Sequence, residues 1–247
     1  MNPPIQAVLF DLGDTLMYSL HPWPPVFDLA GRQLSNALCA SSLEVDCETF
    51  HFDFLHRLDR YYVERDRDLV ETSTLRMLKD LLDEKGHHEV PETTLRPILD
   101  RFYAVTQQNW ALEEDTRPTL TALQGAGVHL GLVSNAGDSR DVLRLTEKFE
   151  IEPYFDFILT SAACGYRKPH PRIFEIALAY WGYMPDEVAM VGDRLDADIQ
   201  GARPLGIYAI WIQRRAKVAD PASILPDSSV KTLSELPALL SALSRPV

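Results

Sequence analysis

The strongest constraint on this chain is a repeated local pattern: short apolar runs that each stop on a small polar or acidic residue. Val8–Phe10 runs into Asp11, Gly131–Val133 into Ser134, and Ala189–Gly192 into Asp193. Apolar runs this short, with no polar alternation, are the mark of strands covered on both faces, as in a parallel sheet. The stretches between them carry apolar residues at helical spacing, and strands alternating with helices build βαβ units. In an open sheet of this kind the ligand crevice lies outside the carboxyl ends of the strands. Asp11, Ser134 and Asp193 therefore fall where chemistry occurs. A carboxylate buried there needs a positive partner, because its desolvation is otherwise costly.

Taken in order, the first strand is followed by a proline-rich linker, MYSLHPWPP, and then by a helical block from about residue 26 to 110. Phe27, Ala30, Leu34 and Leu38 share one helical face, as do Phe50, Phe54, Leu58 and Tyr61. Leu75, Leu78 and Leu82 form a third set, with Thr72 or Ser73 as its cap and Gly86 as its stop, and Leu95, Leu99, Phe102 and Val105 a fourth. Four such helices make a small bundle. From Thr116 onward the α/β alternation resumes. A helix ends at a glycine in TRPTLTALQGAG, VHLGLVSN is a strand, residues 138–149 are helical, and YFDFILTS is a third strand. A helix opening at Pro171, the strand EVAMVGD, the helix DADIQGARPLG and the strand IYAIWI follow, with SVKTL as a short sixth strand and a closing helix. The expected architecture is an α/β, Rossmann-like parallel sheet core with helices on both faces, residues 1–17 and 113–247, interrupted by a helical insertion at 18–112.

The composition excludes several partners. A net charge of -12 repels nucleic acid and anionic membrane surfaces. It also repels a phosphorylated substrate, so a phosphate site here requires its own local cations. The opening MNPPIQ lacks the features of a signal peptide, and no run approaches the ~18 apolar residues of a membrane span. Three cysteines, Cys39, Cys47 and Cys164, are an odd number without metal-type clustering; the expectation is reduced thiols and a cytoplasmic setting.

Lys168, in the loop after the third strand, adds a cation to the carboxylates and the hydroxyl at the strand ends. Through FDLGDTL, LVSNAGD, CGYRKPHPRIFEIAL and VGDRLDADIQGA, in that order, the whole chain resembles the haloacid dehalogenase superfamily, specifically its phosphatase-type branch with a helical cap inserted after the first strand. The resemblance implies that Asp11 attacks phosphorus to form an aspartyl-phosphate that water breaks down. It implies that Ser134 and Asn135 hydrogen-bond the phosphoryl group and that Lys168 neutralises it. It also implies that Asp11, Asp193 and the carbonyl of Gly13 hold Mg²⁺, with Asp198 orienting the metal's waters. The implied substrate is a small phosphorylated metabolite, the implied assembly a monomer or homodimer, and the cap would close over the site and set specificity. Asp196, between Asp193 and Asp198, is expected to cap the following helix.

One position departs from the family pattern. The usual phosphatase carries an acid/base aspartate two residues after the nucleophile, where this chain has Gly13, with Asp14 one further on. General acid–base help of this kind is typically worth about 10²–10⁴ in rate. Four readings follow: a phosphatase for good leaving groups, substitution by Asp14, a 2-haloacid dehalogenase, or a phosphate- or protein-binding relative with little turnover. On an extended chain Asp14 would face away from its neighbour, so substitution requires a turn that rotates it. In the insertion, Arg57, Arg60, Arg65 and Arg67 read as a solvated face rather than a second anion site, and His21, Trp23 and Trp110 as linker packing. Cys164 reads as a small buried residue, and His170 has no assigned role.

Overall fold

The structure is a computed structural model that describes residues 5–41, 43–216 and 224–243. Most of the MNPPIQ segment lies outside the described residues. Contacts divide the chain into two compact units: one runs up to Tyr18 and resumes at Leu112, and the other is Ser19–Ala111.

The first unit is built on β1 (Ala7–Phe10), whose four residues are all buried. After a turn, β2 (Met17–Ser19) leaves the unit, and β3 (Trp110–Leu112) returns to it as the partner of β2 in a two-stranded sheet. Helix α5 (Thr116–Gly125), β4 (His129–Ser134), α6 (Ser139–Lys148) and β5 (Phe157–Thr160) follow. A single helical turn α7 (Ser161–Cys164) precedes α8 (Pro171–Trp181), β6 (Val188–Gly192) and a broken helix through Leu195–Leu205 that includes α9 (Gln200–Ala202). The unit closes with β7 (Tyr208–Ile212), β8 (Ser228–Val230) and α10 (Leu236–Leu243).

Six strands form one sheet in the order β5-β4-β1-β6-β7-β8, and every pair is parallel. The in-register partners of Phe10 are Leu132 on one side and Val191 on the other, so three strand ends finish side by side. Alternation of side chains then sorts the core. Ala7 and Leu9 of β1 join Val188 and Met190 of β6 in a cluster with Ile173, Phe174 and Ala177 of α8. Val8 and Phe10 point to the opposite face and are equally inaccessible. That double coverage explains why these strands have no polar alternation. The helices start and stop as their sequences dictate: Asp138 accepts from the backbone N–H groups of Arg140 and Asp141 at the head of α6, and Pro171 occupies the first turn of α8.

The second unit contains α1 (Trp23–Cys39), α2 (Cys47–Asp68), α3 (Thr74–Glu84) and α4 (Glu92–Thr106). Ala30, Leu34, Leu38, Phe50, Phe54, Leu58, Leu78, Leu82, Leu95, Leu99 and Phe102 form its apolar centre together with Met77, Leu81, Val90 and Ile98, which the periodic sets lack, whereas Phe27, Tyr61, Leu75 and Val105 of those sets only border it. Ser73 rather than Thr72 caps α3, accepting from the N–H of Arg76 at 3.2 Å. Trp23 stacks on Phe27 and meets Trp110 at 5.0 Å, so these rings pack the ends of the insertion against each other.

The reduced-thiol expectation fails for two of the three cysteines. Cys39 ends α1 and Cys47 opens α2, the turn between them brings their Cα atoms to 6.0 Å, and the two are joined by a disulfide. That separation lies within the ordinary span of a cystine. An odd count leaves one cysteine over but does not prevent the other two from pairing. Cys164, half-buried, is free. The cysteines accordingly lend no support to a cytoplasmic setting. Among the described residues no helix is long and apolar enough to cross a membrane.

Candidate active site

The site lies at the carboxyl ends of β1, β4 and β6. Asp11 continues β1, and its N–H donates to the carbonyl of Val191 at 2.9 Å, which fixes its backbone to the neighbouring strand end. Its carboxylate meets the ammonium of Lys168, with Nζ 2.7 Å from Oδ1. The same Nζ donates to the carbonyl of Val133 at 2.7 Å and lies 2.7 Å from Oδ1 of Asp198. Three oxygens thus surround one buried ammonium. Asn135 holds the lysine's backbone in a two-way clamp: its Oδ1 accepts from the Lys168 N–H at 2.7 Å, and its Nδ2 donates to the Lys168 carbonyl at 2.9 Å. A long loop thereby delivers a lysine to one defined point. Ser134 is buried at the end of β4, beside the Val133 carbonyl that Lys168 uses.

Asp193 and Asp198 come from the turn after β6. Donor oxygens of Asp11, Asp193 and Asp198 lie within 4.8 Å of one another. Asp198 reaches this point because the chain after Arg194 winds as a wide π-helical turn, with its Oδ2 accepting from the Arg194 N–H at 3.0 Å. Gly192 makes room for it: a Cβ there would sit 2.1 Å from Oδ2 of Asp198. Trp211 of β7 braces the same turn by donating its indole N–H to the Asp193 carbonyl at 2.9 Å.

Burial and neighbouring charges act on these groups together, in opposite directions at Lys168 and largely in the same direction at Asp193. Burial opposes the charge on Lys168, but the carboxylates of Asp11 and Asp198 outweigh it and hold the amine above the ordinary lysine range. Burial, reinforced by the charges of Asp11, Asp198 and Asp14, pushes the Asp193 carboxyl up to about 8. Burial raises Asp198 to about 6, with Lys168 pulling in the opposite direction. One lysine is too little positive charge for so many carboxylates. Clustered hard oxygen donors of this sort suit a divalent cation such as Mg²⁺, which takes one or two carboxylates and keeps several waters.

The structure brings Asp11, Lys168, Asp193 and Asp198 to one point and places Asn135 and Ser134 on the adjoining strand end. Asp196 does not cap a helix. It is exposed, and its two carboxylate oxygens accept from Nε and Nη2 of Arg194 at 3.0 and 2.6 Å, a pairing that two residues of separation allow. Of the arginines of the insertion, Arg60 is exposed and pairs with Glu64, Arg57 is partly exposed and pairs with Glu84, and Arg65, only partly exposed, lies over the ring of Tyr62. Two features had no signal in the local sequence: the carbonyl of Val133 as a lysine acceptor, and His170 as the cap of α8, its Nδ1 accepting from the Arg172 N–H.

The strand ends of an all-parallel α/β sheet thus converge on a lysine-bridged group of carboxylates. The chain belongs to the haloacid dehalogenase-like hydrolase family, whose model matches residues 5–206. A ribulose-1,5-bisphosphate 5-phosphatase of Halopiger xanaduensis is 30% identical over 244 residues, covering 95% of this chain and 99% of that protein. A glyceraldehyde 3-phosphate phosphatase of Pyrococcus furiosus is 26% identical over 98% of this chain and 94% of its own length. The crystal structure of a HAD phosphatase from Thermococcus onnurineus superposes with a TM-score of 0.62 at 26% identity, covering 95% of this chain and 97% of the other. A 2-haloacid dehalogenase of Pseudomonas syringae, at 23% identity and TM-score 0.68 over 97% of this chain and 99% of the other, shares the fold.

Proposed function

We propose that this protein is a Mg²⁺-dependent phosphatase of small phosphorylated metabolites, working through an aspartyl-phosphate on Asp11. The observation that carries the reading is the buried Lys168 ammonium, 2.7 Å from the carboxylates of both Asp11 and Asp198, with Asp193 in the same cluster. An Oδ of Asp11 forms the new bond to phosphorus while the ester P–O bond breaks and its electron pair leaves with the substrate oxygen, which takes up a proton. Water then forms a second P–O bond, the Asp11–phosphorus link breaks, and inorganic phosphate departs. Lys168 neutralises charge on the phosphoryl group and keeps Asp11 oriented. Ser134 donates to a phosphoryl oxygen, and Asn135 holds Lys168 in place and borders the same pocket. Asp11, Asp193 and the Gly13 carbonyl would hold the cation, with Asp198 orienting its waters; when bound, it supplies the positive charge that phosphoryl transfer requires. Residues Ser19–Ala111 form the cap domain.

The two phosphatases named above for ribulose-1,5-bisphosphate and glyceraldehyde 3-phosphate support a small phosphorylated substrate. Gly13 narrows that class. With no carboxyl two residues beyond Asp11, substrates whose leaving group needs little protonation, such as acyl or aryl phosphates, turn over fastest. The test is phosphate release from acetyl phosphate and p-nitrophenyl phosphate, with Mg²⁺ or with chelator, against an Asp11→Asn control. Release that requires both Mg²⁺ and Asp11, and falls by about 10³-fold or more in the variant, is the expected result. Equal release by the variant overturns the reading, and chloride release from 2-chloropropionate is then the next measurement.

A further inference from the structure

The peptide that joins Asp193 to Arg194 is held on both sides. Its N–H donates to Oδ2 of Asp198 at 3.0 Å, and its carbonyl accepts from the indole N–H of Trp211 at 2.9 Å. The Arg194 carbonyl accepts in turn from the Asp198 N–H at 2.8 Å. Asp193 and Asp198, two carboxylates of the acidic cluster, are thereby tied together through one short set of hydrogen bonds, and Trp211 joins that set from another strand. In the parallel register Trp211 of β7 lies beside Gly192 of β6, so the ring belongs to the strand next to the one that ends in Asp193. Its body packs against the apolar cluster that includes Leu9, Phe174 and Met190. Tryptophan suits this place because it joins a large apolar body to an N–H that only donates. Phenylalanine would fill the same cluster and leave the carbonyl without this donor. Hydrogen bonds in series polarise one another, so the bond to the Asp193 carbonyl also strengthens the N–H of the same peptide toward Asp198.

We propose that Trp211 is a positioning residue of the cation site: its indole N–H fixes the Asp193–Arg194 peptide, and through that peptide it orients the carboxylates of Asp193 and Asp198. This rests on the phosphatase reading above and extends it to a residue of β7 that carries no charge and no ligand atom. Groups that orient the ligands of a metal typically govern its affinity by about 10–100-fold. Trp181 supplies the matched control. Its indole N–H also donates to an aspartate, Oδ2 of Asp156 at 2.8 Å, but at the amino end of β5, away from the site.

The experiment is Mg²⁺ binding by calorimetry on the full chain without substrate, with unfolding midpoints in chelator measured on the same samples. Wild type is compared with Trp211→Phe, with Trp181→Phe, and with protein carrying 3-benzothienylalanine in place of Trp211, which keeps the shape of the ring and exchanges its N–H for sulfur. The expected result is an affinity about tenfold weaker in both proteins altered at Trp211 and unchanged in Trp181→Phe. The benzothienyl protein carries the test even where phenylalanine loosens the fold, because it opens no cavity. Wild-type affinity in the benzothienyl protein overturns this inference and leaves the phosphatase reading intact. Equal weakening in Trp181→Phe also overturns it, since the loss would then follow from a general loosening of the sheet. No Mg²⁺ binding by wild type itself overturns the phosphatase reading instead.

Discussion

The two units of this protein handle charge in opposite ways. At the strand ends of the sheet unit, Lys168 and Asp198 are almost inaccessible, their side chains each 1% exposed, and Lys168 also donates to the Val133 carbonyl. In the helical unit, charged residues pair across or along helices at the surface: Arg32 with Asp28, Arg76 with Asp80, Arg96 with Glu92. The same residue types are thus desolvated at the strand ends and solvated in these helix-surface pairs. The difference is burial. A charge that has lost its water is committed to its partner, whereas an exposed one exchanges its partner for solvent at little cost.

The largest expected consequence of that contrast is at Lys168. Lys168→Met removes the ammonium that bridges the buried carboxylates of Asp11 and Asp198, and breaking such a pair from one side typically costs about 3–5 kcal/mol. Denaturant unfolding in chelator at pH 8 should show a loss of that size, and activity should vanish with it. Lowering the pH should restore part of the stability, because the stranded carboxyls then take up protons. A loss below about 1 kcal/mol, the range of surface pairs, would mean that the lysine is not bound as tightly as its distances indicate and would erase the distinction between the units.

The contrast also sets what could be read from the amino acids alone. Asp11, Ser134 and Asp193 were legible because a parallel strand ends where its apolar run ends, and the end of the strand is the site. Lys168 was legible only as a member of an ordered motif, since nothing local says that a loop lysine returns to the Val133 carbonyl. The clamp by Asn135 and the wide turn that delivers Asp198 depend on contacts between distant segments. Asp196 was misassigned because helix-cap statistics apply to position, while its actual partner, Arg194, was two residues away and exposed. The helices of the second unit were legible from periodicity, yet the pairing of Cys39 with Cys47 was not, because cysteine parity describes the whole chain and the bond depends on one turn. The left-handed backbone of Asp14, at φ +58°, was hidden for the same reason: it sits in a turn closed by a pair of hydrogen bonds to the Leu12 carbonyl.

A second test uses pH. The Asp193 carboxyl is raised to about 8 by burial and by its acidic neighbours, whereas in the unfolded chain it titrates at the ordinary carboxylate value. Between about pH 4 and pH 8 the folded state therefore binds a proton that the unfolded state does not, and stability falls as pH rises, by up to about 1.4 kcal/mol per pH unit for one group. The loss is complete once the pH passes the folded value. Mg²⁺ works against this slope, since it binds the ionised carboxylates and its stabilising effect grows with pH. Melting curves in chelator should fall between pH 5 and pH 8, with a smaller fall in Asp193→Asn and a smaller fall in Mg²⁺. A wild-type slope no steeper than that of the variant would show that Asp193 is not desolvated in the free protein.

The smallest effect belongs to the helical unit and supplies the other end of the scale. Arg57 pairs with Glu84, but the glutamate side chain is 62% exposed and the arginine 26%. Water screens both, and fixing two long side chains in one geometry costs entropy that offsets most of the attraction. Arg57→Ala should therefore shift stability by less than about 1 kcal/mol and leave phosphate release unchanged, and raising the salt concentration should narrow even that difference. A loss comparable with that of Lys168→Met would require Arg57 to be shielded from water. A loss of turnover without a loss of stability would instead assign it to substrate, and the arginines read as a solvated face would then belong to the functional part of the molecule. Either outcome would show that exposure is the wrong variable by which to separate the two units, whereas a near-zero effect at Arg57 beside a large one at Lys168 would show that it is the right one.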